Sequence, residues 1–453
     1  MIRRGLLPAV LTTALTAGLL TGCGGGNGAN GSRTVTVTVG YQSKTINTVT
    51  AGTLLRELGY FERELEKRGT KDGITYRVRW QDYATGAPIT AQMTAGKVDI
   101  GSMGDFPLLI NAARGTQLHR PTRLVSVTGY NPRGGLNTIV TAPGSSLDTL
   151  EDLRGKKVST SVGSAADGTL VRALRRAGID PGKDVRVLNQ QPSVGASALQ
   201  SGSVDALSQF VAWPGLLAHQ GRAEALYDGA ELNLPTFHGV TVREDFAKER
   251  PAVVEAFLRA QVRATDHLRK EPVAAAESVA RATGLPAEVV YLYNGAHGIA
   301  TFDPSLKPAL VEALRKDVPV LTSAKLIGDV DVDAFVDDTH LKRVYGAAYG
   351  KVRDAGAPAA RPEVWFKDGT TTSFDTPAAL LAAVSAAGAK VRAAYVPDTT
   401  TGTPWFADKA VWVLDGTEPR PFVTRSAAAR YTAAHPGART VPYGRLLGAR
   451  GAS

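Results

Sequence analysis

The chain has 453 residues, of which 43% are hydrophobic and 21% are charged, a composition typical of soluble globular domains. This length is large for one compact core, so two or three domains are expected. Lys and Arg outnumber Asp and Glu by 52 to 42, which gives a formal charge of +10. The bases are scattered and form no basic run or basic–aromatic strip, which argues against nucleic-acid binding.

The N-terminus carries the pattern of an export signal. Two arginines precede an uncharged apolar run over residues 6–20, which is too short and too weakly apolar for a membrane span. The run ends in a Leu-Thr-Gly-Cys motif that resembles a bacterial lipobox, which implies a lipid on Cys23, and a glycine-rich stretch typical of a tether follows. We therefore expect a signal peptide (1–22), a tether (23–33) and anchoring on the extracytoplasmic face of the cell membrane. A secretory peptide with a chance cysteine is the alternative.

Motifs that would prescribe a reaction are not found in the sequence. Cys23 is the only cysteine, so the folded body can hold no disulfide, thiolate metal cluster or Cys–His pair. The seven histidines are far apart in sequence and show no metal-ligand spacing. The segment 178–184 lacks the spacing and the hydroxyl residue of a phosphate-binding P-loop, and is better read as a turn that ends a helix. We expect no enzyme activity, no metal and no cofactor.

The first folded segment, residues 34–129, alternates strand and helix patterns. A β-α-β-α-β order requires a mostly parallel sheet that is covered on both faces. The predicted strands are 34–39, 74–80, 98–100 and 122–128, and the predicted helices are 48–67, 87–95 and 105–113.

The alternation of strand and helix patterns restarts at about residue 130 and predicts a second α/β unit over 130–239. A strand at 240–242 and long helices up to 349 then return to the first unit. The chain should therefore cross between two lobes near 128–132 and 234–240. A linker without an apolar face (350–362) leads to a small α+β module over 363–453.

In both units, strands end in small residues that are followed at once by a helix, and we call each such strand-to-helix connection a joint. In open parallel sheets, ligands bind beyond the carboxyl ends of the strands, against helix N-termini. The unpaired amides and partial positive charge there favour anionic groups. Each joint alone is weak evidence, but two joints in each lobe indicate a shared cleft. The four joints are residues 40–43, 101–105, 159–165 and 190–195.

The span 34–345 resembles the nitrate, sulfonate and taurine type of binding proteins of ATP-binding-cassette (ABC) importers. The stretches that carry the resemblance are 39–42, 93–101, 150–158, 202–206 and 242–251. It implies a two-lobed, type II periplasmic-binding-protein-like fold with hinge crossings that closes over a small, anionic solute. It also implies a monomer that delivers this solute to permease and ATPase subunits.

The resemblance implies that residues from both lobes line the cleft. From the first lobe these are Tyr41, Gln42, Ser43, Met103, Gly104 and Asp105, and from the second Ser161, Gly163, Ser164, Gln209, Phe210 and Trp213. Trp213 could equally be a core residue under the lobe. Arg133, beside the first crossing, is a candidate partner for a ligand anion or a solvated surface arginine. His238, near the second crossing, is a further candidate for ligand contact.

The C-terminal module resembles, more loosely, the nitrous-oxide-reductase accessory lipoprotein family. The matching stretches are 366–369, 374–377, 394–398 and 422–429. That family is associated with copper, but this module contains neither cysteine nor methionine, which soft copper sites require. We therefore expect a docking unit without metal. Two other functions stay open: a membrane-anchored sensor or scaffold that uses this module, and an enzyme like those of thiamine-pyrimidine synthesis, which share the fold.

Overall fold

The computed structural model describes residues 33–448. The predicted signal peptide, Cys23 and nearly all of the predicted tether lie outside the described residues. Within that range the chain forms two α/β lobes and a C-terminal module, with one large sheet in each lobe and two small sheets in the module.

Lobe 1 begins with strands and helices that alternate as predicted. These elements are β1 (Arg33–Tyr41), α1 (Thr53–Leu58), α2 (Tyr60–Asp72), β2 (Ile74–Asp82), α3 (Gly86–Thr94), β3 (Ile100–Gly104), α4 (Asp105–Gln117) and β4 (Thr122–Asn131). The single helix predicted over 48–67 is instead a 3₁₀ helix (Ile46–Ala51) followed by α1 and α2. Gly59 separates α1 from α2 with a φ of 60°, a left-handed conformation that glycine adopts without steric cost.

Lobe 2 follows the first crossing. Its elements are β5 (Asn137–Thr141), β6 (Lys157–Thr160), α5 (Ala165–Arg176), β7 (Arg186–Asn189), α6 (Pro192–Gln200), β8 (Ala206–Phe210), α7 (Trp213–His219) and β9 (Glu224–Asp228). Its sheet has the order β7-β6-β8-β5-β9, in which β6 is parallel to β7 and β8. β5 is antiparallel to β8 and β9.

After the second crossing the chain returns to lobe 1. The elements are β10 (Thr236–Arg243), α8 (Glu244–Glu249), α9 (Pro251–Lys270), α10 (Pro272–Thr283), α11 (Ala287–Asn294), β11 (Thr301–Phe302), α12 (Pro308–Ser323), α13 (Val332–Phe335), α14 (Thr339–Tyr345) and α15 (Tyr349–Asp354). The lobe 1 sheet has the order β11-β4-β10-β3-β1-β2 and is mixed, because β10 enters from lobe 2 and runs antiparallel to β3 and β4.

The C-terminal module is built mainly from short antiparallel strands. Its elements are β12 (Glu363–Phe366), β13 (Thr371–Ser373), α16 (Pro377–Ala387), β14 (Val391–Pro397), β15 (Pro404–Phe406), β16 (Val411–Asp415), β17 (Glu418–Phe422), α17 (Arg425–Ala434), β18 (Arg439–Val441) and α18 (Tyr443–Gly448). The sheets have the orders β13-β12-β14-β15 and β17-β16-β18. α15 also shortens the predicted linker, which begins only after Asp354.

Candidate ligand-binding site

A cavity of about 150 Å³ lies between the two lobes. Lobe 1 and the strand that re-enters it contribute Gln42, Thr85, Gly86, Ala87, Gly104, Pro107 and His238, and lobe 2 contributes Ser161, Val162, Gly163, Ser164, Ala165, Asn189, Gln191 and Phe210. The lining is thus mixed, with backbone at the glycines, amide and hydroxyl side chains, and a few apolar walls. This volume is below the roughly 300–1,000 Å³ of sites for drug-sized ligands, so the cavity suits a small solute.

Four helices begin at this cavity, two from each lobe. α3 begins at Gly86 and α4 follows Gly104, while α5 follows its N-cap Ser164 and α6 follows Gln191. Since the first turns of a helix carry unpaired amides and a partial positive charge, the cavity is surrounded by groups that favour an acceptor or anionic ligand atom.

His238 supplies a hydrogen-bonding side chain from β10. Its ring is buried, and burial lowers its pKa to about 3, so the imidazole is neutral at physiological pH. The amide nitrogen of Asn47 lies 2.5 Å from Nδ1. With that amide donating, Nδ1 accepts and Nε2 carries the proton. Nε2 lies near Gly104, where a Cβ would come within 3.2 Å of it. Nε2–H is therefore available as a donor at the cavity wall.

Two glutamines hold the polar walls in place. The Gln42 side-chain nitrogen donates to the carbonyl of Ser102 at 3.1 Å, which fixes its orientation in lobe 1. In lobe 2, Gln209 donates through Nε2 to the Ser161 hydroxyl at 3.3 Å, and that hydroxyl donates to the carbonyl of Gln190. Within residues 33–448, Gln209 Oε1 and Asn47 Oδ1 are buried without hydrogen-bond partners. Such atoms are costly in a dry interior, so they favour a polar occupant or water next to this site.

Two carboxylates lie in the first turns of the helices around the cavity. Asp105 accepts from the amides of Phe106 and Phe237, and Asp167 accepts from the amide of Gly163 at 2.9 Å. Burial raises the pKa of Asp167 to about 6 and also raises the pKa of Asp105. The starts of α4 and α5 are therefore partly neutralised by their own side chains. The first turns of α3 and α6 carry no acidic residue, so they are the better places for an anionic head group.

The lobes also contact each other directly beside the cavity. A Cβ added to Gly168 of α5 would lie 2.1 Å from Cζ of Phe106 of α4, so the ring fits only because position 168 is glycine. Arg172 of α5 forms an ion pair of 2.7 Å with the buried Asp317 of α12. Burial raises the pKa of Asp317, and the nearby Asp105 raises it further. These contacts describe lobes that are closed over the cavity.

The structure brings together about half of the residues that the sequence predicted for the cleft. Those that line the cavity are Gln42, Gly104, Ser161, Gly163, Ser164, Phe210 and His238. Gln209 lies directly behind Ser161, and Asp105 begins α4 beside Gly104. For these residues the ligand role stays a prediction.

The other predicted residues lie elsewhere, which corrects their expected position. Tyr41 faces away from Gln42 and receives a hydrogen bond from Arg56, and Met103 lies in the lobe 1 core. In both places the alternation of a strand sends neighbouring side chains to opposite faces. Ser43 donates to Asp82 at the surface.

Arg133 and Trp213 also lie outside the cavity lining. Arg133 is at the first crossing, where its amide donates to Asn131 and its carbonyl accepts from Leu234. Trp213 begins α7 and packs against an apolar cluster of lobe 2, which is the core alternative considered for it.

Sequence reasoning missed the start of α3 and the residue that holds His238. Thr85, Gly86 and Ala87 follow β2 in the same small-residue pattern as the other joints, so the pattern could have found them. Asn47 could not be found, because it lies in a 3₁₀ helix 191 positions before His238 and only the tertiary fold joins them.

Sequence comparisons find relatives of this part of the chain. A family model described as NMT1/THI5 like matches residues 72–275. An aliphatic sulfonates-binding protein of Escherichia coli is 28% identical over 255 residues, which cover 56% of this chain and 74% of the relative. The taurine-binding periplasmic protein of the same organism is 27% identical and covers 49% of this chain and 67% of the relative. A thiamine biosynthesis protein of Haemophilus influenzae is 38% identical over 113 residues, a third (33%) of its length.

Solved structures decide the fold. The alkanesulfonate-binding protein SsuA from Xanthomonas axonopodis pv. citri, bound to MOPS, superposes with a TM-score of 0.56 at 22% identity and covers 68% of this chain and 99% of that chain. The fold is that of periplasmic solute-binding proteins. The nitrate-binding protein NrtA from Synechocystis PCC 6803 agrees, with a TM-score of 0.54 at 13% identity over 75% of this chain and 95% of that one. The predicted fold class is therefore confirmed.

Between residues 33 and 448, no cluster of three or more His, Cys, Asp or Glu side chains is arranged to hold a metal ion. In the same range, no helix combines the length and the apolarity needed to cross a bilayer.

Proposed function

We propose that this chain is the solute-binding component of an ABC importer and that it captures a small solute in the cavity between its lobes. The observation that carries the proposal is the meeting of four helix starts, two from each lobe, with the His238 donor around one cavity between the lobes. Burial between two lobes lets a solute receive hydrogen bonds from both sides, which is how closure produces affinity. The names of the relatives support the same class of function.

The solute is proposed to carry one compact head group that accepts hydrogen bonds, such as a sulfonate or nitrate. No Lys or Arg is among the residues that line the cavity within 33–448, so amides and the neutral His238 would bind this head without an ion pair. The acid-free starts of α3 and α6 are its proposed location. A micromolar dissociation constant requires about −8 kcal/mol, which several hydrogen bonds to a charged acceptor can supply.

Export and anchoring complete the proposal. Cys23 would carry the lipid, the tether would separate the folded body from the membrane, and the protein would act as a monomer on the extracytoplasmic face. Its partners would be the permease and ATPase subunits, to which the closed lobes deliver the solute. Labelling with a radioactive fatty acid, compared between the natural chain and Cys23→Ser, tests the anchor.

Isothermal titration with taurine, MOPS, short alkanesulfonates and nitrate tests the binding function. We expect saturable binding of at least one of them. We expect His238→Phe to weaken that binding about ten- to 150-fold, because a hydrogen bond to a charged group is worth about 1.5–3 kcal/mol. The exposed His435→Phe in the C-terminal module is the matched control and should bind like the natural chain. The absence of saturable heat across this panel would contradict the proposal.

An enzyme on the same fold is the second candidate, because the structure of DszB in complex with biphenyl-2-sulfinic acid also superposes, with a TM-score of 0.50 at 18% identity. His238 is the titratable side chain among the cavity-lining residues, and its pKa of about 3 makes it a poor general base at neutral pH. Binding is therefore favoured over catalysis. Recovery of a chemically altered solute after incubation would reverse that preference.

A further inference from the structure

The C-terminal module is joined to lobe 1 through a shared aromatic core. Trp365, Tyr395 and Phe406 of the module belong to the same buried cluster as Tyr291 and Tyr293 of α11, and the edge of this cluster also includes Ala218 of α7 in lobe 2. The rings of Tyr291 and Trp365 lie 5.0 Å apart, and those of Tyr291 and Tyr395 lie 5.5 Å apart. This part of the module is therefore packed like a domain interior.

Hydrogen bonds and ion pairs reinforce the attachment to lobe 1. Arg392 lies over the Trp365 ring at 3.9 Å and pairs with Glu288 at 2.7 Å and with Glu277 at 2.9 Å. The Tyr395 hydroxyl donates to the carbonyl of Glu288 at 2.9 Å. These contacts fasten the module to α10 and α11 of lobe 1.

The module also contacts lobe 2 at the crossings. The Thr401 hydroxyl donates to the buried carboxylate of Asp228, at the end of β9, at 2.7 Å. The Thr403 side chain packs against Gly135 of the first crossing. A Cβ added to Gly135 would lie 3.1 Å from the Thr403 hydroxyl oxygen. Contacts this close to the crossings need little displacement when the lobes rotate about them.

A second contact with lobe 2 lies farther from the crossings. Arg425 at the start of α17 pairs with Glu224 at 2.6 Å and with Asp148, and it donates to the carbonyl of Ser145. Glu224 is at the opposite end of β9 from Asp228, about 13 Å away along a five-residue strand. Arg430 pairs with Glu231 at 3.0 Å, nearer to the second crossing. Rotation of lobe 2 away from lobe 1 would separate Arg425 from these partners unless α17 followed it.

We infer that the C-terminal module is a brace that holds lobe 2 in the closed arrangement. It is fastened to lobe 1, and its contacts with lobe 2 add to the direct contacts between the lobes in resisting opening; they include the Arg425 and Arg430 ion pairs and the Phe406 ring, 5.3 Å from the His219 ring of α7. The ion pairs are partly exposed, so each is weak enough to break and re-form in water. The brace raises the fraction of empty protein that is already closed, and apparent affinity increases in proportion to that fraction.

Distance measurements between spin labels test the brace without any solute. Exposed positions on the two lobes, Lys97→Cys and Lys183→Cys, carry the labels in a Cys23→Ser background, which removes the natural cysteine. We expect the double variant Arg425→Ala with Arg430→Ala to broaden the distance distribution and add a second, open population. The control Arg439→Ala, an exposed arginine on the last strand of the module, should leave the distribution unchanged.

Solute titration gives the second readout, with the probe that binds in the panel of taurine, MOPS, alkanesulfonates and nitrate. The double variant should bind it about three- to tenfold more weakly, with an unchanged melting temperature of lobe 1. An unchanged distance distribution in the double variant would overturn the brace even if the solute binds normally. Failure of the whole solute panel would instead count against the proposed function and leave the distance result to decide the brace.

Discussion

The surface through which the two lobes meet differs in kind from the surface through which lobe 1 meets the C-terminal module. At the cavity, the lobes present helix starts, glycines and polar side chains, and some buried polar atoms there have no partner within residues 33–448. At the module, aromatic rings interlock, and Tyr395 and Arg392 are fully engaged with α10 and α11. Water can replace the first set of contacts at little cost, whereas opening the second would expose a large apolar surface. The first surface is therefore suited to opening and closing and the second to permanent attachment.

Trp365→Ala disrupts the surface between the module and lobe 1 and should have the largest effect on stability. Trp365 is fully buried between Tyr291 and Arg392, so truncation leaves a large cavity. We expect the free energy of unfolding to fall by about 3–5 kcal/mol, as measured by denaturant titration. Trp213→Ala in lobe 2, which removes a partly exposed indole, is the control and should cost much less. Equal losses for the two variants would contradict the contrast between the surfaces.

Gly168→Ala disrupts the surface through which the two lobes meet beside the cavity. The added methyl group would collide with the Phe106 ring across the lobes, while alanine is a better helix former than glycine inside α5. We therefore expect solute affinity to fall about tenfold or more, with no loss of thermal stability. Gly182→Ala, in an open turn of lobe 2, is the matched control and should bind normally. If Gly168→Ala binds as tightly as the natural chain, the lobes do not approach each other as described.

The order of strands and helices could be predicted from the sequence because each element has its own hydrophobic period and residues that typically mark its ends. Lobe 1, lobe 2 and the return after the second crossing are all visible in the alternation of apolar patterns. What the pattern could not show is that Trp365 and Tyr395 pack against α11, because the pattern marks a residue as buried without naming its partner. For this reason the packing of the module against lobe 1 was not predicted, and its expected docking role stays a prediction.

The candidate site was predictable only where backbone alone defines it. Glycine-rich joints locate helix starts, and so Gly104, Gly163 and Ser164 were placed at the cavity from the sequence. Side-chain direction depends on register, which explains why Gln42 faces the cavity while Tyr41 does not. The pairing of His238 with Asn47 depends on tertiary structure and was beyond sequence reasoning.

The pH dependence of affinity is the smallest expected effect. Burial raises the pKa of Asp167 to about 6, so this carboxyl becomes neutral as the pH falls from 7 to 5 and repels an anionic head group less. His238 stays neutral over that range, since its pKa is about 3. Affinity for an alkanesulfonate should therefore rise about two- to threefold from pH 7 to pH 5. Titrations of Asp167→Asn should show a weaker dependence, and a steeper one would contradict the role of Asp167.

A structure of the protein with a bound alkanesulfonate or nitrate tests the central claim most directly. The account predicts the solute inside the cavity between the lobes, with its head group at the starts of α3 and α6 and within hydrogen-bonding distance of His238 Nε2. A solute that binds on the outer surface of one lobe, with the space between Gly86 and Gln191 filled by the protein's own side chains, would contradict it.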